Sequence, residues 1–289
     1  MGVPVAIRLY ADEARARSAA TAAFARIAAL DQVMSDYRPD SELRRLKGNG
    51  GRFSVVSTEL FEVLQHAVRI ARASDGAFDP TVGPLVALWR EARATRRLPG
   101  RAAIASAKSR VGWRKLELDR SRRAVRLTGR GMRLDLGGIA KGYIIQEALQ
   151  TLAAHGVTRA LIEAGGDIVA GDPPPHREGW RIDTVAVDET FREQVSRLQR
   201  RSLATSGPTA QFVEIDGVRY SHVVDPRTGL GLTNNVVAHV IADHGATADA
   251  LSTALTVVGP EGAQALLVRF PRVLARLHVE RPFPLSLIP

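Results

Sequence analysis

The chain contains no cysteine among its 289 residues. That excludes disulfides, Cys-ligated zinc, iron–sulfur clusters and thiol nucleophiles, and it leaves the redox compartment open. Aromatic residues are scarce, at 5%. The interleaved stacking side chains of a single-strand nucleic-acid binder are therefore missing, as are helix-turn-helix, zinc-finger and RRM patterns. No apolar run approaches the roughly 18 residues of a membrane-spanning helix. Residues 1–10 show neither a charged stretch followed by an apolar one nor a lipobox cysteine, so no export signal is expected and localisation stays undetermined. Lysine is the last shortage. Of 40 basic residues, 36 are arginine and only Lys47, Lys108, Lys115 and Lys141 are lysine.

The net charge of +10 would suit a nucleic-acid partner, because basic patches gain affinity by neutralising phosphates. Alanine and arginine are abundant along the whole chain, however, so the charge reads as composition and no specific nucleic-acid partner is expected. Hydrophobic residues at 45% and charged residues at 24% are ordinary globular usage. The length suits one catalytic domain over residues 1–289, which could be built as two interleaved subdomains.

Periodicity predicts a strand over residues 3–9 and a helix over 14–33 with Phe24, Ile27, Leu30 and Val33 on its apolar face. Ser57, Thr58 and Glu59 open a second helix that stops near Asp75-Gly76. Residues 90–130 read as an Arg-rich surface stretch with short strands at 115–118 and 124–127. A strand over 132–136 turns at Gly137-Gly138 into a helix over 139–154, closed by His155-Gly156. Strands follow at 158–163, 168–170, 181–187, 212–215, 219–224 and 236–242, with a helix over 247–258 ended by Gly259-Pro260. Helices and hairpin-connected strands without regular βαβ alternation indicate an α+β fold of mixed, mostly antiparallel sheets with packed helices.

Three segments carry possible chemistry. Residues 135–142 place two glycines and Lys141 at a helix N-terminus, where unpaired N–H groups and a cation would cradle an anion. The same glycines would also serve a plain strand-to-helix turn with a solvated lysine. On the helix after Ala248, spacings of three and four put Asp249, Ser252 and Thr253 on one face, a hard-oxygen set that suits Mg²⁺. The alternative is an acid on the helix dipole and a hydroxyl bonded to a preceding carbonyl. Residues 220–229 deliver His222 at the end of a strand, as a general base or as a hydrogen-bonded structural residue.

Taken in order, residues 34–43, 76–85 with Leu88-Trp89, 135–143, 165–167, 204–207, 221–229 and 248–253 resemble the ApbE family, which comprises the FAD:protein FMN transferases. The resemblance implies a ligand site between subdomains and a Mg²⁺-dependent transfer of FMN from FAD to a Thr or Ser hydroxyl of a target flavoprotein, releasing AMP. Hydrolysis of FAD to FMN and AMP is the alternative within the family, and non-catalytic flavin binding the alternative outside it. Carried over by motif, FAD would be bound by Met1, Tyr37, Ala77, Phe78, Asp79, Asp135, Lys141 and the backbone near Val224. The metal would sit among the Gly138 carbonyl, Asp249, Ser252 and Thr253, and His222 would serve the acceptor hydroxyl. Ser252 stands where an acid is often found, leaving Asp249 the only carboxylate of that helix segment and implying a weaker metal site.

Overall fold

Alternating burial and hairpin turns draw six strands into one sheet. The computed structural model describes residues 2–46, 51–182, 189–208 and 212–279, apart from the side chains of residues 194 and 196. The strands are β1 (Val5–Leu9), β5 (Ala160–Ala164), β6 (Asp167–Ala170), β7 (Ser202–Ser206), β10 (Val236–Ala242) and β11 (Leu274–Val279), joined in the order β1-β5-β6-β7-β10-β11. Every pairing in it is antiparallel. A three-stranded sheet joins β2 (Ser54–Val55), β4 (Ala124–Leu127) and β3 (Leu116–Asp119), and β8 (Phe212–Ile215) pairs with β9 (Val218–Ser221) as a hairpin. The helices are α1 (Glu13–Met34), α2 (Glu42–Arg45), α3 (Thr58–Ala73), α4 (Gly83–Thr95), α5 (Arg101–Ser109), α6 (Ala140–Ala154), α7 (Glu189–Ser196) and α8 (Gly245–Leu267). The α+β expectation holds.

Helices α6 and α8 lie on one face of the large sheet, with α1 packed on α6 and α3 on α8. β10 is buried at all seven positions because both its faces are covered. Ala238, Val240 and Ala242 join the main core, while Ile241 meets Trp180, Phe191 and Leu198 on the opposite face. α8 is apolar nearly all round, as a helix enclosed on every side must be. It breaks at Gly259, whose φ of 68° a side chain would resist, immediately before Pro260.

Local signals explain the helix starts. Asp12 accepts from Arg15 N–H at the head of α1 and Ser57 accepts from Leu60 N–H at the head of α3. Gly156, at φ 78°, closes α6 as the sequence indicated.

Several expectations change. The buried face of α1 is Ala19, Ala23, Ile27, Leu30 and Met34, while Phe24 is exposed. The small alanines, not the phenylalanine, let α1 approach α6. Residues 132–136 form no strand: their alternation buries Met132, Leu134 and Leu136, but the backbone bonds a loop, through one parallel bridge from Arg133 to Val82 and from Asp135 N–H to Pro80 O. Residues 204–206 belong to β7 and pair with β10, since Ala and Thr fit a ladder between covered faces. The irregular stretch after α3 ends at α4, where Pro84 sits at the helix start, a position that needs no N–H donor. The Arg-rich stretch conceals the end of α4 and all of α5. β9 stops at Ser221, short of 224, because Ser221 N–H turns to Leu232 O and its Oγ takes Val223 N–H. Most of the expected strand over 181–187 lies outside the described residues, as does Lys47.

Candidate functional site

Helix α6 begins after Gly137-Gly138, and no side chain caps it. Its first turn crosses α8 backbone to backbone: a Cβ on Gly142 would overlap the Gly245 carbonyl oxygen and lie 2.5 Å from its carbon. This glycine-on-glycine approach brings Asp249 of α8 onto α6, where its Oδ2 accepts Gly142 N–H at 3.1 Å. Lys141 Nζ donates to Asp249 Oδ1 at 3.4 Å and to Asp167 Oδ2. Asp167 arrives from the first position of β6, after a turn in which Gly165 and Gly166 take φ of 54° and 91°.

The electrostatics are those of a buried, crowded cluster. Burial works against the charge of Lys141, but Asp249 and Asp167 outweigh it and raise its pKa. Asp167 is pushed up to about 8, first by burial and then by the negative charge of Asp249, with Lys141 pulling the other way. Its Oδ1 is buried with no hydrogen-bond partner. Perturbation of this kind concentrates at functional sites.

The remaining α8 groups surround this cluster. Ser252 is buried and its hydroxyl donates to Asp249 O at 2.8 Å. Thr253 faces the glycine turn, its Oγ1 2.8 Å from where a Gly138 Cβ would lie, and the Phe78 ring is 3.4 Å from the same point. Gly138, Thr253 and Phe78 thus meet at one place, which a side chain on residue 138 would fill.

Asp79 is buried and fully committed: Oδ1 accepts the N–H and hydroxyl of Thr81, and Oδ2 accepts Trp113 N–H. Burial raises its pKa, and these hydrogen bonds lower it in part. It shapes the 77–81 loop. Ala77 packs with Val223 and with Val257 of α8, which ties the loop to the segment carrying His222. Val224 is buried against Leu85 and Trp89 and makes a bridge to Gly231. His222 is half-buried in the segment between Ser221 and Val223.

Asp135 accepts Gly137 N–H at 2.8 Å and Arg90 at 3.3 Å. Burial and then the charge of Asp36 raise its pKa, against the pull of Gly137 N–H, Arg90 and Arg133. Arg90 also pairs with Asp36, which Arg44 and Arg133 approach as well. The Arg90 guanidinium lies 4.3 Å from the centre of the Tyr37 ring, and Tyr37 is 75% exposed. So Tyr37 and Asp135 are joined through a residue that sequence reasoning missed. Nothing in the sequence separates Arg90 from the other arginines except its place directly after Trp89. Asp167 was missed as well, read only as the residue that ends a glycine turn. Met1 lies outside the described residues.

Among the described residues no three His, Cys, Asp or Glu side chains form a metal-holding group, so a cation here would need carbonyl, hydroxyl and ligand oxygens beside its carboxylates. A cavity of about 850 Å³, walled by Arg69, Arg72, Tyr143 and His244 among others, shares no residue with this cluster. Chemistry, not concavity, singles the cluster out.

An antiparallel sheet backed by crossing helices, with a lysine–dicarboxylate cluster at a glycine turn, defines an α+β protein with a buried polar site. A family model described as the ApbE family matches residues 1–277, and the chain belongs to that family. It is 33% identical over 292 aligned positions to the FAD:protein FMN transferase of Treponema pallidum (strain Nichols), covering 94% of this chain and 81% of that protein. Its structure is similar to the flavin transferase ApbE from Vibrio cholerae, with a TM-score of 0.83, 29% identity and coverage of 97% and 91%. The apo flavinyl transferase ApbE of Pseudomonas stutzeri superimposes with a TM-score of 0.78 at 28% identity, covering 97% of this chain and 92% of that one. Among the described residues no helix is long and apolar enough to cross a membrane.

Proposed function

We propose that this chain transfers FMN from FAD to a Thr or Ser hydroxyl of a target flavoprotein and releases AMP, with Mg²⁺ at the Asp249 end of the cluster. The observation that carries the reading is the meeting of Lys141, Asp167 and Asp249 beside the Gly138–Thr253 contact. The donor set fits the metal: hard oxygens from Asp249, Thr253, Ser252 and the Gly138 carbonyl, which meet around the glycine turn. Bound there, Mg²⁺ supplies Lewis-acid stabilisation of phosphoryl oxygens.

The chain's own residues do the rest. Lys141 and the backbone of the glycine turn bind the diphosphate of FAD, the ammonium acting as a point charge. Exposed Tyr37, backed by Arg90, offers a flat face for one of the ring systems of FAD. Ala77, Phe78, Asp79 and Val224 wall the ligand, with Asp79 holding the shape of its loop. His222 accepts the proton of the acceptor hydroxyl as that oxygen bonds to the phosphorus of the FMN half and the bond to the AMP oxygen breaks. AMP leaves carrying both electrons of that bond.

Incubation with FAD, Mg²⁺ and an acceptor bearing a threonine flavinylation site is expected to give a covalently fluorescent acceptor band. Free FMN and AMP without acceptor would assign hydrolysis instead. FAD left intact after long incubation would refute both readings.

A further inference from the structure

Asp167 opens β6 with its side chain in the cluster. Its side chain is 2% exposed, one oxygen engages Lys141, and the other is buried without a partner. A carboxylate in that condition is costly unless a cation or donor completes it. Asp249 is 4% exposed, with one oxygen on Gly142 N–H and the other on the same Lys141 Nζ. Two buried carboxylates from different elements, β6 and α8, therefore converge on a single ammonium.

We infer that Asp167 is a second carboxylate ligand of the divalent cation, and that Lys141 and the cation compete for the oxygens between Asp167 and Asp249. The inference rests on the metal reading above and extends it. A divalent ion arriving at Asp249 Oδ1 repels the ammonium beside it, which weakens the 3.4 Å contact of Lys141 with that oxygen. The Lys141 side chain is one-quarter exposed. Its natural destination is the diphosphate at the neighbouring glycine turn. Cation binding would in this way release the lysine toward the substrate, coupling the two events. The carboxylate missing from the α8 segment at Ser252 is supplied from the sheet, which the spacing of that helix could not reveal.

The test uses Mn²⁺ as the probe, with free ion read by its electron paramagnetic resonance signal on the full chain without FAD. Asp249→Asn and Asp167→Asn are each expected to weaken Mn²⁺ binding by about tenfold or more. Weakening by Asp249→Asn alone, with Asp167→Asn within about twofold of the parent, would overturn the inference and leave the metal reading standing. No change in either variant would remove the metal reading itself. A second readout needs no substitution at the cluster. Protein labelled with ¹³C and ¹⁵N in lysine carries only four side-chain ammonium groups, assigned by Lys108→Arg, Lys115→Arg and Lys47→Arg. Saturating Mg²⁺ is expected to shift the Lys141 Nζ resonance and leave the other three in place. A Lys141 resonance that stays put while Mg²⁺ binds would refute the competition, whatever the folding of the variants.

Discussion

Gly142→Ala sets helix propensity against tertiary packing, and the two give opposite signs. Propensity alone makes alanine more stable than glycine within a helix by about 1 kcal/mol. In this position the new methyl carbon would lie 2.5 Å from the Gly245 carbonyl carbon and 3.0 Å from Asp249 Cβ, where carbon atoms rest comfortably at about 3.5–4 Å. The obstacle is backbone, so α6 and α8 must separate by about 1 Å. Overpacking of this kind costs about 1–3 kcal/mol. The same movement stretches the 3.1 Å bond from Gly142 N–H to Asp249, and a hydrogen bond to a charged group contributes about 1.5–3 kcal/mol. The net expectation is a loss of about 2–4 kcal/mol, measured as a lower urea midpoint with unchanged slope. Mn²⁺ affinity is expected to fall with it, because the helix crossing aims Asp249. An unchanged or higher midpoint would refute the claim that this crossing is fixed by backbone contact.

Asp249→Ala is expected to abolish Mg²⁺-dependent FAD turnover while the circular dichroism spectrum is retained; turnover at ordinary Mg²⁺ would move the metal elsewhere. His222→Ala is expected to lower the rate of FMN transfer by about 10²-fold or more with FAD affinity nearly unchanged, and equal loss of both would make His222 a binding residue. Lys141→Arg is expected to lose about tenfold or more in kcat/KM, because a planar fork replaces a point charge between two carboxylates; parent-like kinetics would refute that geometry. His239 of β10 is 6% exposed and shares a hydrogen bond with Thr205. Burial, then the neighbouring His278, hold its pKa down at about 4. Between its unfolded value and about 4 the unfolded chain binds more protons, so stability falls as pH drops through that window. The expected loss is about 3 kcal/mol, seen as a declining urea midpoint from pH 7 to 4, and His239→Gln should flatten the decline.

Elements with strong local signals were legible in the sequence. α3 has a serine cap and a dense apolar stripe, β10 is a run of β-branched residues, and the break of α8 is spelled Gly259-Pro260. α4 was not legible because its opening Gly83-Pro84 reads equally as a turn, and arginines interrupt its stripe. The 132–136 segment misled because alternation records burial, not a ladder partner. At the site, Lys141 and the Asp249 face could be read from spacing, since each belongs to one local element. Their contact could not, because it depends on two glycines in different helices. Asp167 and Arg90 act only through residues distant in the chain, and no local pattern marks that.

Lys141 meets Asp167 across 26 residues and Asp249 across 108. Contacts that far apart carry a loop-closure cost and form only when the intervening chain is ordered. The complete cluster therefore has no existence in a partly folded molecule: β6 must join the sheet and α8 must cross α6 before all three of its charges meet. Chemistry at this site is in effect an end-point signal of folding: a cut between β6 and α8 leaves Lys141 and Asp167 on one piece and Asp249 on the other, and neither piece holds the whole of it.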